Sequence, residues 1–132
     1  MKTKVRSVAV RKLPERISGA HRDQVYRDLE SAISVDRPAV VLDCSALREL
    51  DPSAIHLLLC CLEEAMKRNG DVRLAAVAPQ AQASLEAAEV DTLFQQYEHI
   101  GDAVESFHRP QFDFIQFDNP LQGEQKSRMN AA

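Results

Sequence analysis

Hydrophobic and polar positions follow two different spacings along the chain. Residues 5–13 are rich in β-branched side chains and predict a strand that Pro14 ends. Apolar side chains then recur at helical spacing over residues 25–33, and Ser18 before them is a candidate N-cap. The run at residues 39–42 has no polar member, which predicts a central strand covered on both faces.

The second predicted helix has the clearest amphipathic pattern in the sequence. Ile55 begins a series of apolar residues at i, i+3, i+4 and i+7 spacing, and charged residues occupy the opposite face. Asn69-Gly70 predicts a left-handed helix stop. The later predicted elements are a strand at 72–77, a helix that Pro79 opens, a short strand at 97–100 and a last helix at 102–107. Strands that alternate with helices predict an α/β protein, here with a mixed four- to five-stranded sheet packed with about four helices.

Composition indicates a single domain without an extended charged or apolar segment. The 132 residues carry a net charge of −4, so a nucleic-acid partner has no overall electrostatic support. No apolar run approaches the length of a membrane span, and no signal-peptide pattern follows the first residues. Three cysteines without CxxC spacing and four scattered histidines predict no metal site. We therefore expect a cytoplasmic protein with no cofactor, no nucleic-acid partner and no membrane contact.

The C-terminal residues 108–132 differ from the rest of the chain. Three of the five phenylalanines, Phe112, Phe114 and Phe117, lie within six residues. Such a cluster is expected to be buried. It could fold back on the domain, add to a sheet edge or form a homodimer. Beyond Pro120 the composition is polar and small, which predicts disorder, so we divide the chain into a domain at 1–107 and an extension at 108–132.

The sequence Asp51-Pro52-Ser53-Ala54-Ile55 places a hydroxyl where the second helix begins. Asp51 fits the N-cap position, Pro52 the N1 position and Ser53 the N2 position. A phosphate on Ser53 would lie at the positive end of the helix dipole, while Asp51 would oppose it by like-charge repulsion. The small side chain of Ala54 would leave the surroundings open to a partner protein. On these residues alone, Ser53 is either a modified residue or an ordinary first-turn serine.

Other polar side chains near this helix start suggest chemistry less strongly. His56 follows Ser53 by three residues, as a base beside a nucleophile would, but no glycine-rich oxyanion motif accompanies the pair. A surface histidine at a binding face is the preferred interpretation. Asp43 and Asp51 could hold magnesium, although a loop hydrogen bond and a helix cap explain them as well. The three cysteines are expected to be buried and structural, because no histidine is predicted beside any of them.

Several of these segments, taken in order, resemble the STAS domain, in particular the bacterial anti-sigma factor antagonists. That family shows a hydrophobic strand ending in leucine-aspartate, a serine-containing start of a long helix, a glycine-type turn and a proline-led helix. Leu42-Asp43 resembles the strand end, residues 51–55 the helix start and Asn69-Gly70 the turn. The resemblance covers most of residues 5–107 and implies a STAS-like fold.

The resemblance implies a regulatory protein without catalytic activity. Members bind an anti-sigma factor that is itself a serine kinase of the histidine-kinase-like ATPase fold, and a serine phosphatase reverses the phosphorylation. Ser53 is the implied phosphoacceptor, because an added phosphate of about −1.5 to −2 charges would disrupt an interface built for a neutral hydroxyl. The implied partner-binding residues are Asp51, Pro52, Ala54, His56 and Ser18.

Three positions depart from the family pattern. Pro52 replaces the first of two adjacent hydroxyl residues, and Ala54 replaces a glycine. Ile17-Ser18 aligns with an early leucine-aspartate, so the acid of that pair is absent. A second hypothesis is therefore a non-switching STAS module that acts as a scaffold or as an accessory subunit of a transport or signalling complex. An enzyme, the third hypothesis, would require turnover that depends on both Ser53 and His56.

Overall fold

Four helices pack on the two faces of a four-stranded sheet. The computed structural model describes residues 7–17 and 19–108, apart from the side chain of Ala20. None of the helices in this part of the chain combines the length and the apolar character needed to cross a membrane. The elements in chain order are β1 (Ala9–Lys12), α1 (Gly19–Ile33), β2 (Ala39–Asp43), α2 (Pro52–Lys67), β3 (Asp71–Ala75), α3 (Pro79–Ala87), a 3₁₀ helix (Asp91–Leu93), β4 (Gln96–Tyr97) and α4 (Ile100–Ser106).

The sheet has the strand order β1-β2-β3-β4. Leu42 of β2 lies beside Leu74 of β3, and Leu74 lies beside Gln96 of β4. Helical segments connect each strand to the next, which returns the chain so that neighbouring strands run in the same direction. The predicted α/β class, the strand count and the four helices are confirmed, while every strand pairing among the described residues is parallel rather than mixed.

Two predicted strands are shorter in the structure than their sequence patterns indicated. β1 contains Ala9–Lys12, and the first two residues of the predicted strand, residues 5 and 6, lie outside the described residues. β4 contains only Gln96 and Tyr97, because the chain enters α4 at Ile100 instead of extending the strand. The last helix therefore begins two residues earlier than predicted.

Strand β2 is buried on both faces, as its uniformly apolar sequence predicts. Val40 and Leu42 belong to the larger core, which lies between the sheet and the helices α1, α2 and α3. Ala39 and Val41 belong to a smaller core on the opposite face, where α4 packs. Successive side chains of a strand point to opposite faces, so one short strand contributes to both cores.

A buried arginine joins β3 to α4 on the face of the smaller core. Arg73 is only 7% exposed. Its Nε donates a hydrogen bond to Asp71 Oδ2 at 2.9 Å, and its Nη1 donates one to Ser106 Oγ at 2.6 Å. The guanidinium carbon lies 3.9 Å from the centre of the Phe107 ring. The end of α4 is therefore attached to β3 through a single charged side chain.

The turn after α2 corrects one detail of the sequence interpretation. The left-handed residue is Asn69, with φ 65°, and not Gly70. Gly70 N donates to Ala65 O at 2.8 Å and Asn69 N donates to Met66 O at 3.0 Å, which is the bonding of a Schellman motif. Gly70 is required for space, because a Cβ there would overlap Pro38 O and lie 2.6 Å from Pro38 N.

Candidate functional site

Helix α2 begins with the geometry that the sequence predicts. Asp51 has extended dihedral angles, φ −81° and ψ 172°, and its Oδ1 accepts a hydrogen bond from Ala54 N at 2.8 Å. Pro52 is the first helical residue, where its missing N–H has no intrahelical bond to lose. The predicted N-cap, N1 and N2 positions are thus confirmed for Asp51, Pro52 and Ser53.

Ser53 is exposed at this helix start. Within the described residues no hydrogen bond engages its hydroxyl. The neighbouring backbone donors are already used, because Ala54 N bonds to the Asp51 carboxylate and Ile55 N bonds to the Asp51 carbonyl oxygen at 3.0 Å. Pro52 supplies no donor. Of the first-turn donors in the described part of the chain, the N–H of Ser53 is therefore the one that an added anion could still use.

Ala54 does not contribute to the exposed surface, which corrects its predicted role in partner binding. Its side chain is 0% exposed and lies in the larger core. Ala54 shares the inward face of α2 with Leu58, which follows it by one helical turn and is also buried. The exposed residues of the helix start are those we name the helix-start surface: Asp51, Pro52, Ser53 and His56.

Two loops flank the helix-start surface at the carboxyl ends of β1 and β2. Arg48 N donates to Glu15 O at 2.8 Å, and Arg16 forms an isolated parallel bridge with Glu49. Crossed ion pairs reinforce the contact, with Arg16 Nη2 3.3 Å from Glu49 Oε2 and Arg48 Nε 3.0 Å from Glu15 Oε2. All four side chains are more than half exposed, so the ion pairs stabilise the protein little and the backbone contacts fix the loops.

These four loop residues were not among the predicted site residues. The sequence feature that could have indicated these ion pairs is an acidic residue next to a basic one in each of two loops, Glu15-Arg16 and Arg48-Glu49. Because the loops follow neighbouring parallel strands, both emerge at the same edge of the sheet. Recognising the pairs would have required the strand order, which the sequence pattern alone does not supply.

His56 contacts Cys60 rather than Ser53. The His56 Nε2 lies 3.4 Å from Cys60 Sγ, one helical turn further along α2. This contact corrects the prediction that no histidine would lie beside a cysteine, and Cys60 is only half-buried rather than buried. No hydrogen bond described in the structure joins His56 to Ser53. The geometry therefore gives no support to a serine–histidine nucleophile pair.

The other two cysteines are buried, as predicted. Burial raises the pKa of the Cys44 thiol to about 12 and that of the Cys61 thiol to about 12. Cys44 Sγ also donates a hydrogen bond to Leu42 O at 3.5 Å. Both thiols therefore stay protonated at neutral pH and act as small apolar side chains.

The acidic residues near the helix start have the local roles that were expected of them. Asp43 Oδ1 accepts a hydrogen bond from Ser45 N at 2.9 Å, which shapes the loop after β2. The Asp51 carboxylate caps α2. Among residues 7–17 and 19–108, no group of three or more His, Cys, Asp or Glu side chains could hold a metal ion.

Four of the predicted interaction residues lie outside the described residues. Ser18, the candidate N-cap of α1 and implied partner contact, is one of them. The others are the phenylalanines of the C-terminal extension, Phe112, Phe114 and Phe117. Their roles stay predictions.

Comparison with protein families identifies the domain. The family profile described as the STAS domain matches residues 1–103. This chain belongs to the STAS domain family. The resemblance seen in the sequence is therefore confirmed, and the match includes the helix-start surface of this STAS domain. No curated protein sequence matches the chain.

Solved structures of other proteins share the fold. An anti-sigma-factor antagonist (STAS) domain protein from Planctomyces limnophilus has a TM-score of 0.67 and 19% identity, covering 76% of this chain and 90% of that one. The STAS domain of a SulP transporter from Vibrio cholerae has a TM-score of 0.63 and 16% identity, covering 79% and 83%. A sulfate transporter family protein from Wolinella succinogenes has a TM-score of 0.60 and 17% identity, covering 76% and 84%. At these identities the likeness establishes the fold alone.

Proposed function

We propose that this STAS domain is an anti-sigma factor antagonist that binds an anti-sigma factor serine kinase through the helix-start surface. Phosphorylation of Ser53 would end that binding, and a serine phosphatase would restore it. The observation that carries the proposal is the exposed, unbonded hydroxyl of Ser53 at the N2 position of α2. A kinase can reach this hydroxyl without opening the fold.

The helix start explains how a phosphate on Ser53 would act. It would bring about −1.5 to −2 charges to a position where only the N–H of Ser53 itself remains as a first-turn donor. The Asp51 carboxylate, which is held by Ala54 N, would repel it. The phosphate would therefore remain directed at solvent or at a partner, and binding would be lost by repulsion and desolvation at the interface rather than by refolding of α2.

The surroundings of Ser53 fit a docking surface better than a catalytic site. His56 is engaged with Cys60, and the flanking loops are held by backbone hydrogen bonds and by paired charges of both signs. Such a surface is nearly neutral and pre-formed, so a partner would bind it without a large ordering cost. We accordingly propose a non-catalytic, cytoplasmic role for the domain.

Phosphopeptide mass spectrometry on the protein from its native host tests the modification. We expect phosphate at Ser53 with an occupancy that changes between growing and stressed cells. The complete absence of phosphate at well-covered Ser53 in every condition would contradict the switch.

Partner capture tests the binding step. We expect the Ser53→Ala protein to retain an anti-sigma factor kinase and the Ser53→Asp protein to lose it. Ser34→Asp is the matched control, because Ser34 is an exposed serine just after α1, at the opposite end of the sheet from the start of α2. Equal loss of the partner from Ser34→Asp and Ser53→Asp would assign the effect to net charge instead of to the helix-start surface.

A second candidate is a non-switching STAS module in a transport or signalling complex. Two observations favour it: the fold is shared with STAS domains of transporters, and Pro52 leaves a single hydroxyl at the helix start. This candidate predicts an unmodified Ser53 and a partner that stays bound to the Ser53→Asp protein. The capture experiment therefore separates the two candidates.

A further inference from the structure

An apolar groove lies beside the second half of α2. Met66 is 60% exposed and Leu93 of the 3₁₀ helix is 57% exposed, although both side chains are large and hydrophobic. Together with Leu59 and Leu62 they line a depression of about 620 Å³, which Glu63 and Lys67 border. We name it the Met66–Leu93 groove. Apolar side chains grouped in one depression form the kind of surface at which an apolar segment can dock.

A contact near the end of the described chain involves a residue that lines a cleft next to this groove. After α4, the Phe107 ring packs against Arg73. Arg73 also lines a cleft of about 430 Å³ whose other walls include Met66 and Leu93. Because these two residues line both depressions, the cleft adjoins the Met66–Leu93 groove. Phe107, one residue before the last described residue, therefore contacts a residue that lines the cleft.

We propose that residues 109–117 of this chain pass along the cleft and place phenylalanine side chains in the Met66–Leu93 groove. The segment contains Phe112, Phe114 and Phe117 with Ile115 between them, which are the side chains that an apolar groove accepts. Nine extended residues reach about 30 Å. The part of α2 that lines the groove, from Leu59 to Met66, is about 10 Å long. The extended segment is therefore about three times as long as the part of α2 that lines the groove.

A covalent tether favours this segment over the same segment of a second copy. A segment joined to its binding surface by a short linker has an effective concentration in the millimolar range. A second copy would need to reach that concentration in free solution to compete equally. The docking of residues 109–117 does not depend on the function of Ser53, so it is tested separately from the proposed switch.

A single tryptophan in the extension reports on the environment of the segment. The chain has no tryptophan, so Phe114→Trp gives one fluorophore in the full-length protein. We expect its emission to be blue-shifted relative to the same protein in denaturing urea. Adding Leu93→Asp should move the emission toward the value in urea. Val35→Asp is the matched control, because Val35 is also an exposed hydrophobic residue, 49% exposed, and lies outside the groove.

Three outcomes of this experiment would overturn the proposal. One is emission at the urea value already in the Phe114→Trp protein. Another is an equal red shift from Leu93→Asp and Val35→Asp. The third is a blue shift that disappears on dilution, since that result would assign the groove to a second copy of the chain.

A reciprocal measurement leaves the groove residues unchanged. The methionines are Met1, Met66 and Met129, so methyl labelling gives three signals in an NMR spectrum. Phenylalanine rings in the groove should shift the Met66 methyl signal upfield through their ring currents. We expect that shift to be lost when Phe112, Phe114 and Phe117 are all replaced by serine. An identical Met66 signal in the two proteins would show that the segment does not occupy the groove.

Discussion

At the scale of the residue, three adjacent residues at the start of α2 have separate roles. Asp51 accepts the hydrogen bond from Ala54 N, Pro52 occupies the position that needs no donor, and the hydroxyl of Ser53 stays unbonded. The cap and the candidate modification site are therefore separate groups. A partner or a kinase can engage Ser53 without removing the interaction that holds the helix start.

Replacing Asp51 tests whether the cap is independent of the site. We expect Asp51→Ala to lower the free energy of unfolding by about 1 kcal/mol, because Ala54 N would lose its acceptor, and Asp51→Asn to lower it less. Urea denaturation followed by circular dichroism measures both. Asp23→Ala is the control, an exposed aspartate on α1. A loss from Asp23→Ala equal to that from Asp51→Ala would show that the cap is not the cause.

At the scale of the element, the turn between α2 and β3 depends on two adjacent residues for different reasons. Asn69 adopts the left-handed conformation, which glycine also accepts, whereas Gly70 is limited by the Pro38 backbone. We expect Gly70→Ala to lower the free energy of unfolding by about 2 kcal/mol or more, because the clash is with backbone that has little freedom to move. Asn69→Gly should change it by less than about 1 kcal/mol. Thermal and urea unfolding of the two variants compare the positions directly, and a larger effect at Asn69 would contradict this assignment.

The two ends of α2 show which parts of the fold the sequence could predict. The Asp51 cap joins positions three residues apart, so the local pattern was sufficient to predict it. The requirement for Gly70 comes from Pro38, which is distant in sequence and meets the turn only after β2 and β3 pair. The burial of Ala54 likewise depends on how α2 is rotated against the sheet, and the sequence interpretation placed that side chain on the surface. Local chemistry was predictable, whereas contacts that depend on strand order and helix rotation were not.

At the scale of the whole molecule, the sheet separates two cores of unequal size. Among the described residues, the core beneath α1, α2 and α3 includes most of the buried apolar side chains, and the core beneath α4 has five buried members. The helix-start surface belongs to α2 and is supported by the larger core. Helix α4 has less apolar support and relies on the contacts of Arg73 with Asp71, Ser106 and Phe107. We infer that α4 opens more readily than α2, because elements with few buried apolar contacts unfold locally at lower free energy.

Hydrogen exchange of the backbone amides tests this difference. We expect α4 amides to exchange faster than β2 amides, and Arg73→Met to accelerate α4 further, since the hydrogen bonds to Asp71 and Ser106 would be lost at a cost of about 2 kcal/mol. Exchange in β2 should accelerate by a similar factor, because the global unfolding that β2 exchange requires also breaks the contacts of Arg73. Arg16→Met is the control, as it removes an exposed ion pair and should leave both elements unchanged. Equal protection of the α4 and β2 amides in the unsubstituted protein would mean that the two cores unfold as one unit, and that the smaller core is as strongly coupled to the fold as the larger one.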